Sequence, residues 1–326
     1  LHYLHRRQRQ MCIRDRRVRD AARLTAIARG LTMDELATSP TAITNININS
    51  PRKFDVEMAA AAMAMAEMGQ ATVITPFTLM GAMTPVTLAG ALTQQNAEAL
   101  FGIALTQLVR PGAPVAYGGF TSNVDMKTGA PAFGTPENTR ANIAGGQLAR
   151  RYGLPYRTSA CSASNAVDAQ AVWETQMALW GAVNGHGNLI YHSAGWGEGG
   201  LVADFEKLIV DCEMLQAMAE FLSPPEFSEA DFAFDAHDEV EPGGHFFGAA
   251  HTMERYQSAF YSPFLSDWSN HENWRDAGGR TTTERAMEIW PKIVEAYTPP
   301  PSDPARVEEM QAYIAHRKEE IGSGEP

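Results

Sequence analysis

From residue 43 onward, short apolar runs and amphipathic helical stretches alternate about every 35 to 40 residues. Strand-like runs fall at 43–48, 72–78, 114–119, 155–160 and 188–194, with helix-like segments at 54–69, 84–109, 134–153, 165–182 and 200–222. A chain in which strand and helix succeed one another this way pairs its strands in parallel through right-handed crossovers. Two architectures satisfy that pattern, a doubly wound sheet and a (β/α)8 barrel. No GxGxxG fingerprint follows the first strand, which weakens a dinucleotide-binding sheet. The expectation is therefore an α/β fold of the (β/α)8 TIM-barrel type. Five units are clear, with a sixth near residue 232, against the eight that close a barrel. The expected barrel thus lacks its first strands in this chain, as an N-terminal truncation would leave it, and carries a C-terminal helical extension.

The helix boundaries have local chemistry. Thr84 with Pro85, and Thr135 with Pro136 and Glu137, read as N-caps followed by first-turn proline; Gly69 and Gly153 read as stops. Asn165 and Asp168 resemble a capping box. Phe205, Leu208, Cys212, Leu215 and Ala219 would form one apolar face of the helix 200–222. Segments 281–297 and 304–320 read as two surface helices separated by TPPPSDP.

Charge bounds the partners. The net charge is −12, yet residues 1–20 hold seven arginines against two aspartates, so the body is more acidic still. An acidic body disfavours nucleic acid and tolerates small cations. The basic head lacks the apolar core of a secretory signal and shows no defensible period. Residues 1–42 are expected to be a leader, disordered or non-native in part, followed by a catalytic barrel over 43–297 and a linker plus surface helix over 298–326. No apolar stretch approaches the ~20 residues of a membrane span. The cysteines, Cys12, Cys161 and Cys212, are three and far apart. That argues against a disulfide framework or a cysteine zinc site and fits a reducing cytoplasm.

In a βα barrel the active site forms from loops after strand C-termini. The residues gathered there are Asn49, Ser50, Thr78, the stretch 117–127, 159–164, 192–198 and, if the sixth unit exists, His245. The stretch 118–138 reads as a long excursion of the kind that carries function. HSAGWGEGG (192–200) sets His192, Trp196 and Glu198 among glycines. One reading has Trp196 packing under the rim and Glu198 capping the next helix. The sharper one makes Trp196 a wall of a cation pocket, with Glu198 and His192 orienting the ligand; an indole face attracts a quaternary ammonium by about 1–2 kcal/mol when desolvated. A zinc site from His192, His245, His251 and Glu198 is the weaker metal-dependent alternative, since the two later histidines do not share a helix face.

Four stretches, MTPVTLAGALTQQNAEAL, PGAPVAYGGFTSNVDMKTGAPAFGTPE, DAQAVWET and NLIYHSAGWGEGGLVADFEKLIVDCEML, resemble the trimethylamine methyltransferase (MttB-like) family over about residues 43–297. The resemblance implies a TIM barrel that moves a methyl group from a methylated amine to the cobalt of a separate corrinoid protein. It also implies relatives longer at the N-terminus. The sequence shows only standard residues, so it resembles the branch without pyrrolysine, whose members act on quaternary amines such as glycine betaine. The expected cofactor is then a corrinoid (cobalamin) carried by a partner protein, with no group bound tightly by this chain and no metal site. The expected partners are the cognate corrinoid protein and a small methylated amine, with no nucleic acid and no membrane; a homo-oligomer is compatible.

Positional inference from the strand exits assigns the site. Tyr117, Trp196 and Phe246 form cage walls; Glu198 offsets the cation's charge; His192 and His245 hydrogen-bond an anionic end of the substrate. Glu198 and His192 are the candidate catalytic groups. The competing readings are a metal-dependent barrel lyase or hydrolase, and a non-catalytic amine-binding barrel fragment.

Overall fold

The computed structural model describes residues 15–321. Helix α1 (Asp15–Arg29) leads to a single turn at Met33–Leu36 and then to β1 (Ile43–Ile48). The βα units follow: α2 (Val56–Glu67), β2 (Ala71–Met80), α3 (Leu88–Val109), β3 (Val115–Gly118), β4 (Phe120–Val124), β5 (Pro131–Ala132), α4 (Pro136–Arg151), β6 (Tyr156–Ser159), α5 (Ala169–Asn184), β7 (Leu189–Tyr191), β8 (Trp196–Gly197), β9 (Val202–Ala203) and α6 (Phe205–Leu222). After several short turns come α7 (Thr282–Glu295) and α8 (Pro304–Ile321).

The main sheet runs β1-β2-β3-β6-β7, all parallel and in chain order. Each new strand is laid on the same side of the last, so the order never reverses as it would in a doubly wound sheet. Consecutive helices α2 to α6 also pack on one another, forming a single layer outside the strands. The expected α/β architecture with a parallel central sheet is what the chain adopts.

Strand register sorts the side chains. Ile46, Ile74, Tyr117 and Tyr156 align across four strands and face the helices. A Cβ on Gly102 of α3 would strike Ile74, and one on Gly145 of α4 would strike the Tyr156 hydroxyl, so strands and helices approach to backbone distance. The alternate residues, Asn45, Asn47, Thr75, Arg157, Ser159 and Tyr191, line the other face. That face is polar and aromatic: Thr75 Oγ1 donates to Asn45 Oδ1 at 2.9 Å, and Asn45 Nδ2 to Asn47 Oδ1 at 2.6 Å.

The five crossover helices each start on a side-chain cap, from Asp55, Thr87, Thr135, Asp168 and Asp204. Thr135 with Pro136 is as expected. The expected start at Thr84 is not: Thr84 donates its N–H to Leu79 O at 3.2 Å, closing a turn after β2, and the helix begins after Thr87. Asp168 caps α5 alone, accepting from the Gln170 and Ala171 N–H groups. Helix α6 buries Lys207, Ile209, Val210, Asp211, Glu213 and Met218, so its apolar positions Phe205 and Leu208 are half-exposed rather than core. Phe205 stacks instead on Trp290 of α7, ring centroids 4.8 Å apart.

Two further expectations are corrected. Residues 118–138 are not a free excursion: β4 prolongs the line of β3 beside the second half of β2, and β5 folds back on it antiparallel. The sixth strand near 232 is replaced by helical turns at Glu229–Phe232 and Phe234–Glu239, separated by Ala233 at φ +51°. Within the segment read as a leader, residues 1–14 lie outside the described residues, but α1 packs Val18, Ala22 and Ala26 against Met58, Ala61, Ala62 and Met65. It also receives α8, whose Tyr313 and Arg317 donate to Asp20 at 2.7 and 2.8 Å. Among the described residues, no helix is long and apolar enough to cross a membrane.

Candidate active site

Two neighbouring strand exits, after β6 and after β7, build one rim. The β6 exit is organised by Glu174 of α5, which accepts from Ser162 Oγ at 2.8 Å, Ala163 N at 2.9 Å and Ser164 N at 3.0 Å. The β7 exit is then fastened to it: Glu198 N donates to Ser164 O at 2.9 Å, and Gly199 N to Ser162 O at 3.3 Å.

Glycine at the second exit serves two needs. Gly195, at φ +75°, gives its N–H to Asp211 Oδ2 at 2.9 Å and accepts from Asp204 N at 2.9 Å. Gly200, at φ +92°, lies against the indole: a Cβ there would stand 2.5 Å from Trp196 Nε1. The run is therefore a small hairpin, β8 against β9, with Trp196 laid over its own turn. Below it, Lys207 Nζ bonds Asp211 Oδ2 at 2.5 Å and Thr175 Oγ1 at 2.9 Å, all three buried. Burial pushes the Asp211 carboxyl above its usual range, against the pull of Lys207 and the Gly195 N–H.

His192 sits at the tip of β7 in the left-handed region, φ +62°. Its ring meets Trp196 at 3.5 Å between centroids and 73° between planes, Phe120 at 5.5 Å and Tyr191 at 6.0 Å. Nδ1 and Ser159 Oγ are 3.2 Å apart. Burial, and secondarily the Arg157 charge, push the imidazole down to about 3, so the ring is neutral at physiological pH. Such a ring can accept or donate one hydrogen bond and does not repel a cation.

Arg157 is 2% exposed. Its guanidinium lies 4.4 Å from the Tyr191 ring centroid and 5.6 Å from that of Phe120. Nε and Nη1 are buried with no hydrogen-bond partner among the described residues. Burial lowers its pKa to about 10, which leaves it charged. Phe120 in turn stacks on Phe133, centroids 5.3 Å apart.

The six expected site residues divide. His192 and Trp196 come together as anticipated, and Glu198 sits on the same hairpin, exposed, at φ +51°. Glu198 does not cap α6; Asp204 does. Tyr117 is removed from the cage. It is fully buried against the helices, its hydroxyl donating to Asn96 Oδ1 at 3.2 Å and accepting from Gln95 Nε2 at 3.3 Å, with Tyr152 and Tyr156 beside it. It faces the opposite side of the sheet from Arg157 and Ser159. His245 and Phe246 are also removed: they border an exposed 3-10 turn, His245 against Phe247 and Phe246 against His237, and share no ring contact with His192. The four proposed zinc ligands are accordingly not assembled, and no other cluster of three or more His, Cys, Asp or Glu among the described residues is arranged to hold a metal.

Sequence reasoning missed Arg157 and Tyr191; Phe120 and Ser159 lay within stretches it gathered at the strand exits but were given no role. A signal existed for one of them: arginine inside a short strand-like run, where charged residues are rare unless paired.

The chain is similar to known proteins over most of its length. The chain is 38% identical over 307 residues to the glycine betaine methyltransferase of Desulfitobacterium hafniense (strain Y51), covering 94% of this chain and 64% of that protein. It is 30% identical over 259 residues to the trimethylamine methyltransferase MttB of D. hafniense (strain DSM 10664 / DCB-2), 79% of this chain and 50% of that one. To the trimethylamine methyltransferase MttB of Methanosarcina barkeri (strain Fusaro / DSM 804) it is 31% identical over 269 residues, 81% of this chain and 53% of the other. These alignments thus span between half and two thirds of each relative. The family described as trimethylamine methyltransferase (MTTB) matches residues 1–322, and the chain belongs to that family.

Proposed function

We propose that this chain belongs to an enzyme that transfers a methyl group from a quaternary amine, glycine betaine foremost, to the cobalt of a corrinoid protein in the cytoplasm. The parallel sheet is read as an arc of a (β/α)8 barrel, with the β6 and β7 exits as part of its catalytic mouth. The observation that carries the reading is the His192–Trp196 pair, two aromatic rings at the strand exits with the carboxylate of Glu198 on the same hairpin.

The chemistry asks little of the protein beyond binding and aim. A Co(I) corrinoid on the partner would supply the nucleophile, its electron pair taking the methyl carbon while the C–N pair stays with nitrogen. The amine leaves neutral, so no proton donor is required. The chain's residues strip water from the cation and hold one N–CH3 bond in line. Trp196 offers its indole face to the methyl groups. Neutral His192 adds a ring without adding charge. Glu198 lowers the electrostatic cost of seating a cation at the rim.

The test is a panel of quaternary amines mixed with the purified chain and free cob(I)alamin, followed by visible absorbance. Loss of the Co(I) spectrum with glycine betaine, faster than without protein, supports the reading. Betaine binding with no methyl transfer under any condition would favour the amine-binding fragment instead.

A further inference from the structure

We infer that Arg157 is the receptor for a carboxylate on the substrate and sets the preference for zwitterionic over purely cationic quaternary amines. The inference deepens the amine reading above and rests on it for the identity of the ligand.

An arginine enclosed in the fold with Nε and Nη1 unpartnered among the described residues is an unusual object. Burying a charge without a counter-charge or hydrogen bonds is costly, and natural proteins pair such groups. Two aromatic rings offset part of the charge through their faces. They leave the in-plane N–H donors unmet, because a guanidinium donates in its own plane. What suits those donors is a flat anion with two oxygens, the fork-to-fork geometry of arginine and carboxylate. Phe120 and Tyr191, which touch the guanidinium, also touch His192, which touches Trp196. One continuous group therefore runs from a fixed cation to an aromatic pair beside an acidic hairpin. A zwitterion with its carboxylate at Arg157 has its ammonium directed away from the guanidinium, toward Trp196 and Glu198. A cation lacking the carboxylate meets an Arg157 charge offset only in part, by the two aromatic faces.

Titration calorimetry on the purified chain separates the ends of the ligand with three probes. Glycine betaine carries both charges, choline only the cation, and 3,3-dimethylbutanoate only the anion. The unmodified chain should bind betaine at least ten times more tightly than choline. Arg157→Met should weaken betaine and 3,3-dimethylbutanoate by roughly 10- to 100-fold, the range of a charge-assisted hydrogen bond, and leave choline unchanged or tighter. Arg157→Lys should recover part of the loss, since a point charge replaces the fork. Betaine affinity unaltered in Arg157→Met overturns the inference. If that variant does not fold, choline binding as tightly as betaine in the unmodified chain overturns it equally. Binding of 3,3-dimethylbutanoate that depends on Arg157, with neither amine bound, would sink the amine reading and leave the anion receptor standing.

Discussion

Nζ of Lys207 lies 2.5 Å from Oδ2 of Asp211, one helical turn further on, and both side chains are shut away from water. The same carboxylate oxygen takes the N–H of Gly195. The pair is thus the anchor that fixes the start of the Trp196 hairpin. Removing one partner strands the other charge in the interior. Lys207→Met or Asp211→Asn should each cost about 3–5 kcal/mol in urea unfolding. The double apolar replacement should recover much of that loss, since the desolvation cost of both charges disappears with them. A single variant as stable as the parent would contradict the anchor.

Gly200→Ala should be destabilising by about 1–3 kcal/mol, because φ +92° strains any L side chain and the new methyl collides with the Trp196 indole. Displacement of the indole should also weaken betaine binding. Gly112→Ala, at φ +80° with open space around it, serves as the control: strain without collision, and no effect on binding.

Trp196→Ala should lower affinity for betaine and choline alike by roughly tenfold, the worth of a desolvated cation–π contact. This differs from an Arg157 substitution, which should affect only ligands carrying an anion. Calorimetry with both amines separates the two patterns; equal affinity in Trp196→Ala and the parent would remove the indole from the site.

The imidazole of His192 titrates near 3 when folded and near 6.5 when unfolded. The unfolded chain therefore binds one more proton between those values, and folding stability rises with pH across that window and is flat above it. The slope from this one group is bounded by about 1.4 kcal/mol per pH unit. His192→Asn should lose that component, so its deficit relative to the parent should shrink as pH falls from 7 to 4.5. A deficit independent of pH would show that the ring is not held neutral.

Tyr117→Phe should leave amine binding untouched and cost about 0.5–1.5 kcal/mol of stability, the worth of its buried hydrogen bonds. Weakened betaine binding in this variant would return Tyr117 to the site.

Much of the architecture was legible because it is written locally. Thr135 followed by Pro136 marks a helix start by chemistry confined to one turn, and the spacing of apolar runs implies the parallel, in-order sheet. The face assignment of Tyr117 was not legible. Strand β3 is only four residues long and offers no period from which to read which face Tyr117 takes. The rule that looks beyond strand ends found His192 and Trp196, which do lie beyond β7. It passed over Arg157, which lies inside β6. His245 and Phe246 entered only through a strand expected near 232, where αL backbone at Ala233 and short helical turns stand instead.

The backbone bonds from Glu198 to Ser164 and from Gly199 to Ser162 have a consequence for redesign of this protein. The two exits are sewn together by main-chain atoms, so side-chain substitutions in either loop leave the seam intact, whereas an insertion or deletion in one displaces the other. The smallest transplantable cassette for a change of loop length runs from Ala160 to Asp204, helix α5 included, because Glu174 supplies one end of the stitch and Asp204 closes the other.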